Sequence, residues 1–216
     1  MTRAATRNVI RAAALGLLLA LGVPARAQDV PPDQLVKTVT LEVIDLIKGD
    51  KEIQAGNRAK LVQLIDAKVL PHFNFSAMTA LAMGHSWNKA NPEQKKRLTE
   101  EFRTLLVRTY STSLSQYRDQ KIEVKPLKIA PQDKEATVRT AVIQQGGPPI
   151  PIDYSMEKGD KGWMVYDVVI DGASLVTTYR GSFNDQIQKG GIDGLVKTLQ
   201  DRNKAPEAPK PPAKAG

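Results

Sequence analysis

The stretch WMVYDVVIDGASLVTTYRGSF (residues 163–183) decides how this chain folds. Its first eight residues have the composition of a β-strand, and Ser174 can cap a helix with Val176, Tyr179 and Phe183 on one face. Both faces of this strand are largely apolar, whereas one face of an antiparallel strand normally meets water. We therefore expect each face to be covered, either by protein on both faces or by a bound ligand on one.

Three further runs with period-two alternation precede this strand. They are residues 122–129, 135–144 and 150–157. Turn residues at positions 146–149 and 159–162 separate the later runs, and connections this short make antiparallel hairpins. Pro126 in the first run indicates an edge strand or a bulge, because proline cannot donate a ladder hydrogen bond. The sequence therefore predicts a four-stranded antiparallel meander.

Helical periodicity dominates the rest of the chain. It predicts helices at residues 31–48, 57–69, 76–83, 91–118 and 192–199, besides the one after Ser174. Asp33 is a candidate cap for the first, and Asn91 with Gln94 forms a capping box for the longest. Helices before and after a run of strands are typical of an α+β fold. We expect a curved four-stranded antiparallel sheet with helices gathered against one face.

Both ends of the sequence differ in composition from the middle. Arg3, Arg7 and Arg11 precede and flank an apolar run of about 12 residues, shorter than the roughly 20 that span a membrane. With the A-x-A site ending at Ala27, this is typical of a secretory signal peptide. The segment 204–216 is rich in proline, lysine and alanine and predicts a disordered tail. Residues 28–203 are then expected to form a single domain.

Charge and residue usage exclude several classes of function. The formal net charge of +8 falls to +4 without the four arginines of the predicted signal peptide, and no basic block suggests nucleic-acid binding. The chain has no cysteine, which excludes disulfides and thiol catalysis. His72 and His85 have no partner at metal-ligand spacing, so neither a metal nor another cofactor is predicted.

Asp167 and Asp171 are the candidate catalytic groups. A carboxylate within an apolar strand can have a raised pKa and act as a base. The structural alternative is an ion pair between Asp167 and Arg180, with Asp171-Gly172 forming a turn. We favour the structural alternative, because most perturbed carboxylates outside a known constellation are structural.

The pattern W-x-V-Y-D-V-x-I-D-G-x-S-L-V-x-x-Y-R-x-x-F at residues 163–183 resembles the signature of the MlaC family, also called toluene-tolerance or Ttg2-type proteins. The resemblance extends to Trp87, Pro92, Gln94, Phe102, Leu105, Leu106, Tyr110, Leu114, Gly191, Leu195 and Leu199. It implies a fold similar to a nuclear-transport-factor-like cone with an internal apolar cavity. It also implies a periplasmic carrier that moves phospholipid monomers between the two membranes of a Gram-negative envelope and so maintains outer-membrane lipid asymmetry. The implied partners are an outer-membrane lipoprotein complex and an inner-membrane ABC transporter complex with an MCE-domain subunit.

The candidate lipid-binding residues are those that can face the concave side of the sheet and its neighbouring helices. They are Phe102, Leu106, Tyr110, Val138, Val142, Ile152, Tyr154, Met156, Trp163, Val165, Val169, Tyr179 and Phe183. Arg139 and Arg180 are candidate contacts for a phosphate head group. Two alternatives stay open at this point: a periplasmic binding protein that delivers a small hydrophobic solute to an ABC importer, and an enzyme that uses Asp167 or Asp171 as a base.

Overall fold

The computed structural model describes residues 30–115, 121–144 and 146–206 of the chain. Five helices precede the sheet: α1 (Pro32–Gly49), α2 (Lys51–Gln54), α3 (Arg58–Lys68), α4 (Phe75–Met83) and α5 (Pro92–Ser115). The strands are β1 (Lys121–Val124), β2 (Glu135–Ile143), β3 (Ile150–Gly159), β4 (Gly162–Ile170) and β5 (Ala173–Ser174), and α6 (Arg180–Lys204) follows. The predicted signal peptide, the predicted tail from residue 207 onward and the predicted end of the longest helix lie outside the described residues.

Side chains at the helix starts explain where several helices begin. Asn57 caps α3 through the Lys60 amide, and Asn74 caps α4 through the Ala77 amide. At α5 the predicted capping box is confirmed, because the amides of Asn91 and Gln94 each donate to the other residue's side chain, at 3.1 and 2.8 Å.

The predicted cap of α1 is wrong. Asp33 lies inside the first turn, and Pro31 occupies the cap position without a side-chain hydrogen bond. Pro32 at the first helical position begins the helix instead, since its fixed φ suits a helix and its missing N–H needs no partner there.

The strands form one antiparallel sheet in the order β1-β2-β3-β4-β5, which confirms the meander. The sheet has five strands and not four, because a two-residue strand follows β4. Asp171 (φ 49°) and Gly172 (φ 78°) make the tight turn that returns the chain to β4, as residues in the left-handed region do in two-residue hairpins. Strand β1 is an edge strand that ends at Val124, before Pro126.

A β-bulge changes the alternation of β4. Met156 lies opposite Val165, but the preceding residue, Ser155, lies opposite Asp167, so β4 has one extra residue at this point. Trp163 and Val165 therefore share a face with Val168 and Ile170 (the inner face of the sheet). The apparent two-sided apolarity of this strand is largely one apolar face that changes phase in the middle.

The connection into α6 differs from the predicted cap, because Ser174 lies in β5, and Val176 and Tyr179, at the cap positions of the 3-10 turn and of α6, make no side-chain cap hydrogen bond. The Ser174 hydroxyl accepts hydrogen bonds from the amides of Val176 and Thr177 at 3.2 and 2.9 Å. A short 3-10 turn (Thr177–Tyr179) then leads into α6. Helix α6 consists of the two helices predicted here, which meet at a kink at Gly191, whose φ of 67° and ψ of −169° are not helical.

Buried apolar side chains form three clusters. The inner-face cluster joins α1 to β2, β3 and β4; the helical cluster joins α4, α5 and α6; a third joins the end of α1 to α2 and α3. Phe73 packs against both the inner-face and the helical clusters, so it links the sheet to the helices. No helix in the described part of the chain is long and apolar enough to cross a membrane.

Candidate functional site

A cavity of about 320 Å³ lies between α1 and the edge strand β1. Lys37, Thr40 and Leu41 line it from α1, and Ile122, Glu123 and Val124 line it from β1. The helical residues stand three and four positions apart and so share one face of α1. The cavity therefore separates one face of a helix from an edge of the sheet that no other described strand covers.

Two of the β1 residues that line the cavity belong to the inner face of the sheet. Ile122 lies opposite Val142, and Val124 lies opposite Thr140. Opposed residues in an antiparallel sheet point to the same face. The apolar lining of the cavity is thus the outermost row of the surface that α1 covers.

Six of the predicted lipid-binding residues lie together on the inner face. They are Val138, Ile152, Tyr154, Met156, Trp163 and Val165. The buried residues among them, Val138, Met156, Trp163 and Val165, are at most 6% exposed and pack in one cluster with Val36 of α1. Val142 lies in the row next to the cavity, opposite Ile122. The structure therefore collects this part of the predicted set on a single surface.

Two hydroxyl groups on this surface, those of Thr140 and Tyr154, have hydrogen-bond partners there. The Thr140 hydroxyl donates to the Ile152 carbonyl at 2.9 Å. Burial raises the pKa of Tyr154 to about 12, although a hydrogen bond with Thr140 lowers it. Tyr154 is consequently neutral at physiological pH, and its ring adds apolar area to the inner face.

Placing Val169 on the inner face is wrong. It lies opposite Asp153, which is itself opposite Arg139, and these residues point away from α1. The bulge of β4 puts Val168 on the inner face in its place. Sequence reasoning missed Val168 and Ile170 there, although the run of apolar residues on either side of Asp167 was a signal that strict alternation fails.

The remaining predicted residues belong to the helical cluster and not to the inner face. Phe102, Leu106, Tyr179 and Phe183 are buried there, and Tyr110 packs against them. The Phe102 ring meets Tyr179 and Phe183 edge-on, at centroid distances of 5.2 and 5.1 Å. These residues join α5 to α6 as an ordinary aromatic core.

Neither predicted head-group arginine lines the cavity. Arg180 donates to the carbonyl of Leu81 at 2.8 Å, which ties the start of α6 to α4. Arg139 lies on the outer face with its Nε 4.0 Å from the Asp153 carboxylate. The cation that does line the cavity is Lys37, which sequence reasoning missed, although its position directly after the buried Val36 placed it at the margin of the core.

Asp167 is a buried structural carboxylate. It accepts a hydrogen bond from its neighbouring amide of Val168 at 2.8 Å, and the Ser174 hydroxyl is its side-chain partner. Burial raises its pKa in spite of these hydrogen bonds. The predicted ion pair with Arg180 is wrong, since no such pair exists among the described residues. The turn at Asp171 is confirmed, and neither aspartate lines the cavity.

Comparison with known proteins places this geometry in a family. The toluene tolerance protein ttg2D of Pseudomonas putida is 29% identical over 193 residues, which are 89% of this chain and 88% of the relative. The intermembrane phospholipid transport system binding protein MlaC of Haemophilus influenzae is 27% identical over 165 residues, 72% of this chain and 77% of the relative.

A solved structure shares both fold and sequence with the chain. It is the phospholipid-binding protein from Ralstonia solanacearum in complex with a phospholipid, with a TM-score of 0.73 and 41% identity. The match covers 79% of this chain and 96% of that one. The family described as MlaC protein matches residues 37–201, which include the cavity lining and the whole inner face. The chain belongs to the MlaC protein family.

Proposed function

We propose that this protein binds phospholipids and carries them through the periplasm. The observation that carries the proposal is the apolar inner face beneath α1, which opens at the edge of the sheet through the cavity beside Lys37. The 41% identity to a protein solved with a bound phospholipid supports it. The inner-face residues Val138, Val142, Ile152, Tyr154, Met156, Trp163 and Val165 are the proposed acyl-chain contacts.

A carrier of this kind needs deep apolar burial. Two acyl chains contain roughly 30 methylenes, each worth about 0.8 kcal/mol when removed from water. A lipid crossing water unaided therefore exposes apolar surface worth on the order of 20 kcal/mol. The head group loses hydration if it is buried, so it should stay at the edge of the cavity while the chains lie inside.

We propose that α1 separates from the sheet when a whole phospholipid binds. If a methylene takes about the volume of a water molecule, ~30 Å³, two chains occupy roughly 900 Å³. The cavity of about 320 Å³ is smaller than that. On this proposal, side chains of α1 and the inner face move apart to admit the acyl chains.

The packing of α1 suggests which part moves. Leu35 and Val36, near its start, pack on the inner-face cluster, whereas Val43 and Ile47, near its end, pack on α2 and α3 in a separate cluster. Lys68 of α3 also pairs with Glu42 of α1 at 2.5 Å. We propose that the first half of α1 lifts from the sheet while the second half stays packed on α3.

The cellular setting is part of the proposal. The predicted signal peptide with cleavage after Ala27 supports periplasmic localisation, and the name of the Haemophilus influenzae relative supports a role in an intermembrane phospholipid transport system. The proposed partners are an outer-membrane lipoprotein complex and an inner-membrane ABC transporter complex with an MCE-domain subunit. We propose that the carrier acts as a monomer that docks transiently on each and maintains outer-membrane lipid asymmetry.

A second candidate function is binding of a small hydrophobic solute for an ABC importer. The volume of the cavity favours it, because about 320 Å³ falls within the range of small-molecule sites.

Native mass spectrometry of mature protein purified without detergent tests the proposal. We expect masses of co-purified phospholipid and, after lipid removal, uptake of labelled phospholipid from vesicles. Bound anilinonaphthalene sulfonate, used as a small apolar probe, should be displaced by phospholipid. A protein that binds the probe but takes up no phospholipid would instead support the solute-binding function.

A further inference from the structure

The charges at the cavity do not cancel. Lys37 and Glu123 are the charged residues in its lining. Glu123 is compensated, because its carboxylate lies 3.2 Å from the ammonium of Lys121. Within the described residues Lys37 has neither an ion pair nor a hydrogen bond, and the carboxylate of Asp33, one turn earlier, forms no ion pair with it. Counting the described residues, the cavity therefore has one positive charge at its edge that no ion pair compensates.

A hydroxyl stands next to this charge in the same cavity. Threonines elsewhere in the helices, such as Thr99 and Thr104, donate to the carbonyl four residues earlier. Within the described residues the hydroxyl of Thr40 has no such bond and no other hydrogen-bond partner. Lys37 and Thr40, three residues apart on α1, thus offer two adjacent donors to one ligand group.

The position of Lys37 suits the boundary between an apolar interior and water. Its side chain is exposed, while Val36 before it is 7% exposed and packs on the inner face. A lysine at such a margin can lay its methylenes along apolar surface and keep its ammonium in water. Chains that pass Ile122 and Val124 toward the inner face would leave the linking phosphate beside this ammonium.

We propose that Lys37, assisted by Thr40, binds the phosphate of the lipid and gives the carrier a preference for phospholipids with a net negative charge. This inference rests on the proposed function. A phosphatidylglycerol head group contributes one uncompensated negative charge to this edge. A phosphatidylethanolamine head group brings its own ammonium, which Lys37 repels and which Glu123, already held by Lys121, attracts only weakly.

The test is competition between these two lipids. Lipid-free protein is incubated with vesicles of equimolar phosphatidylglycerol and phosphatidylethanolamine, and the bound lipids are counted by native mass spectrometry. We expect a bias toward phosphatidylglycerol of about fivefold, the effect of one exposed ion pair, and a smaller bias at high salt. Lys37→Met should abolish the bias and Lys37→Arg should retain it. The matched control is Lys96→Met on α5, an exposed lysine outside the cavity, which should behave as wild type.

The outcomes separate the two proposals. Equal bias in wild type and Lys37→Met, with lipid still bound, overturns the role of Lys37 and leaves phospholipid binding intact. No bound lipid in any variant overturns both. A separate titration with inorganic phosphate, followed by ³¹P NMR, distinguishes a lipid head group from free phosphate. If wild type binds free phosphate, Lys37→Met does not, and neither shows a lipid bias, the site binds plain phosphate. That result overturns the head-group assignment.

Discussion

Ser155 of β3 lies opposite Asp167 of β4, although the next residue of β3 lies opposite Val165. The extra residue of β4 turns Asp167 and Val169 away from α1 and brings Val168 and Ile170 onto the inner face. This bulge gives the proposed lipid surface an uninterrupted apolar row. It also places a carboxylate in contact with the strand β5 that follows.

The two valines on either side of the bulge should respond differently to the same substitution. Val165→Asp puts a carboxylate, costly to bury, on the inner face and should lower bound phospholipid by about tenfold or more. Val169→Asp makes the same change on the outer face, where the residue is half-buried, and should leave lipid binding near wild type. Vesicle uptake measures the difference, and circular dichroism checks folding.

If Val165→Asp does not fold, Ile122→Glu at the edge of the cavity provides the same charge at a half-buried position. Equal lipid binding by Ile122→Glu and wild type would contradict the assignment of the inner face.

Asn74 should contribute more to stability than an ordinary helix cap. Its side chain accepts from the Ala77 amide at 3.1 Å and donates to the Glu157 carboxylate of β3 at 2.6 Å, so it joins α4 to the sheet. Among the described residues, the Asn91 side chain hydrogen-bonds only within its capping box. Asn91→Ala should cost about 1 kcal/mol of unfolding free energy and Asn74→Ala about 2 kcal/mol or more. Urea denaturation measures both, and equal losses would show that the bond to Glu157 contributes nothing.

Asp167 should make stability depend on pH. Burial raises its pKa above the usual 3.8, so the folded protein binds more protons than the unfolded chain once the pH exceeds that value. The stability that the protonated Asp167 contributes is fully present below the unfolded pKa and is lost as the pH rises through the folded pKa. Asp167→Asn cannot ionise, so its stability relative to wild type should be greater at pH 7 than at pH 3.5. Thermal unfolding at the two pH values checks this, and a difference of opposite sign would contradict the raised pKa.

Two adjacent glycines of α6 should respond in opposite ways to alanine. Gly191 has a φ of 67° and a ψ of −169°, a combination almost restricted to glycine, so Gly191→Ala should cost about 1–3 kcal/mol. Gly190 lies in regular helix with open space around its Cα, so Gly190→Ala should stabilise by about 0.5–1 kcal/mol. Chemical denaturation of the pair tests whether the kink is intrinsic to α6, and equal effects would show that it is not.

Local chemistry made much of the fold predictable. The cap at Asn91 and the turn at Asp171 depend on residues a few positions apart, so their outcome does not require the rest of the chain. The class of ligand came from the resemblance of residues 163–183 to the MlaC family and not from local chemistry. What failed locally was Asp33, because a proline at the first helical position replaced the need for a capping side chain.

The tertiary structure decided which residues lie on which surface, because that depends on pairing between distant segments. Strict alternation along β4 predicts Val169 beside Val165, and only the opposed strand, through the bulge at Ser155, shows that Val168 takes that position. Likewise the aromatic residues Phe102 and Phe183 look like cavity lining from their helical faces, yet helix-helix packing buries them in a separate core. The sequence by itself determined most of the helices, strands and turns, since those depend on neighbours along the chain, but it missed the short elements α2 and β5. The packing of those segments against one another decided which apolar surface faces the cavity. It also placed Lys37 at the edge of the cavity.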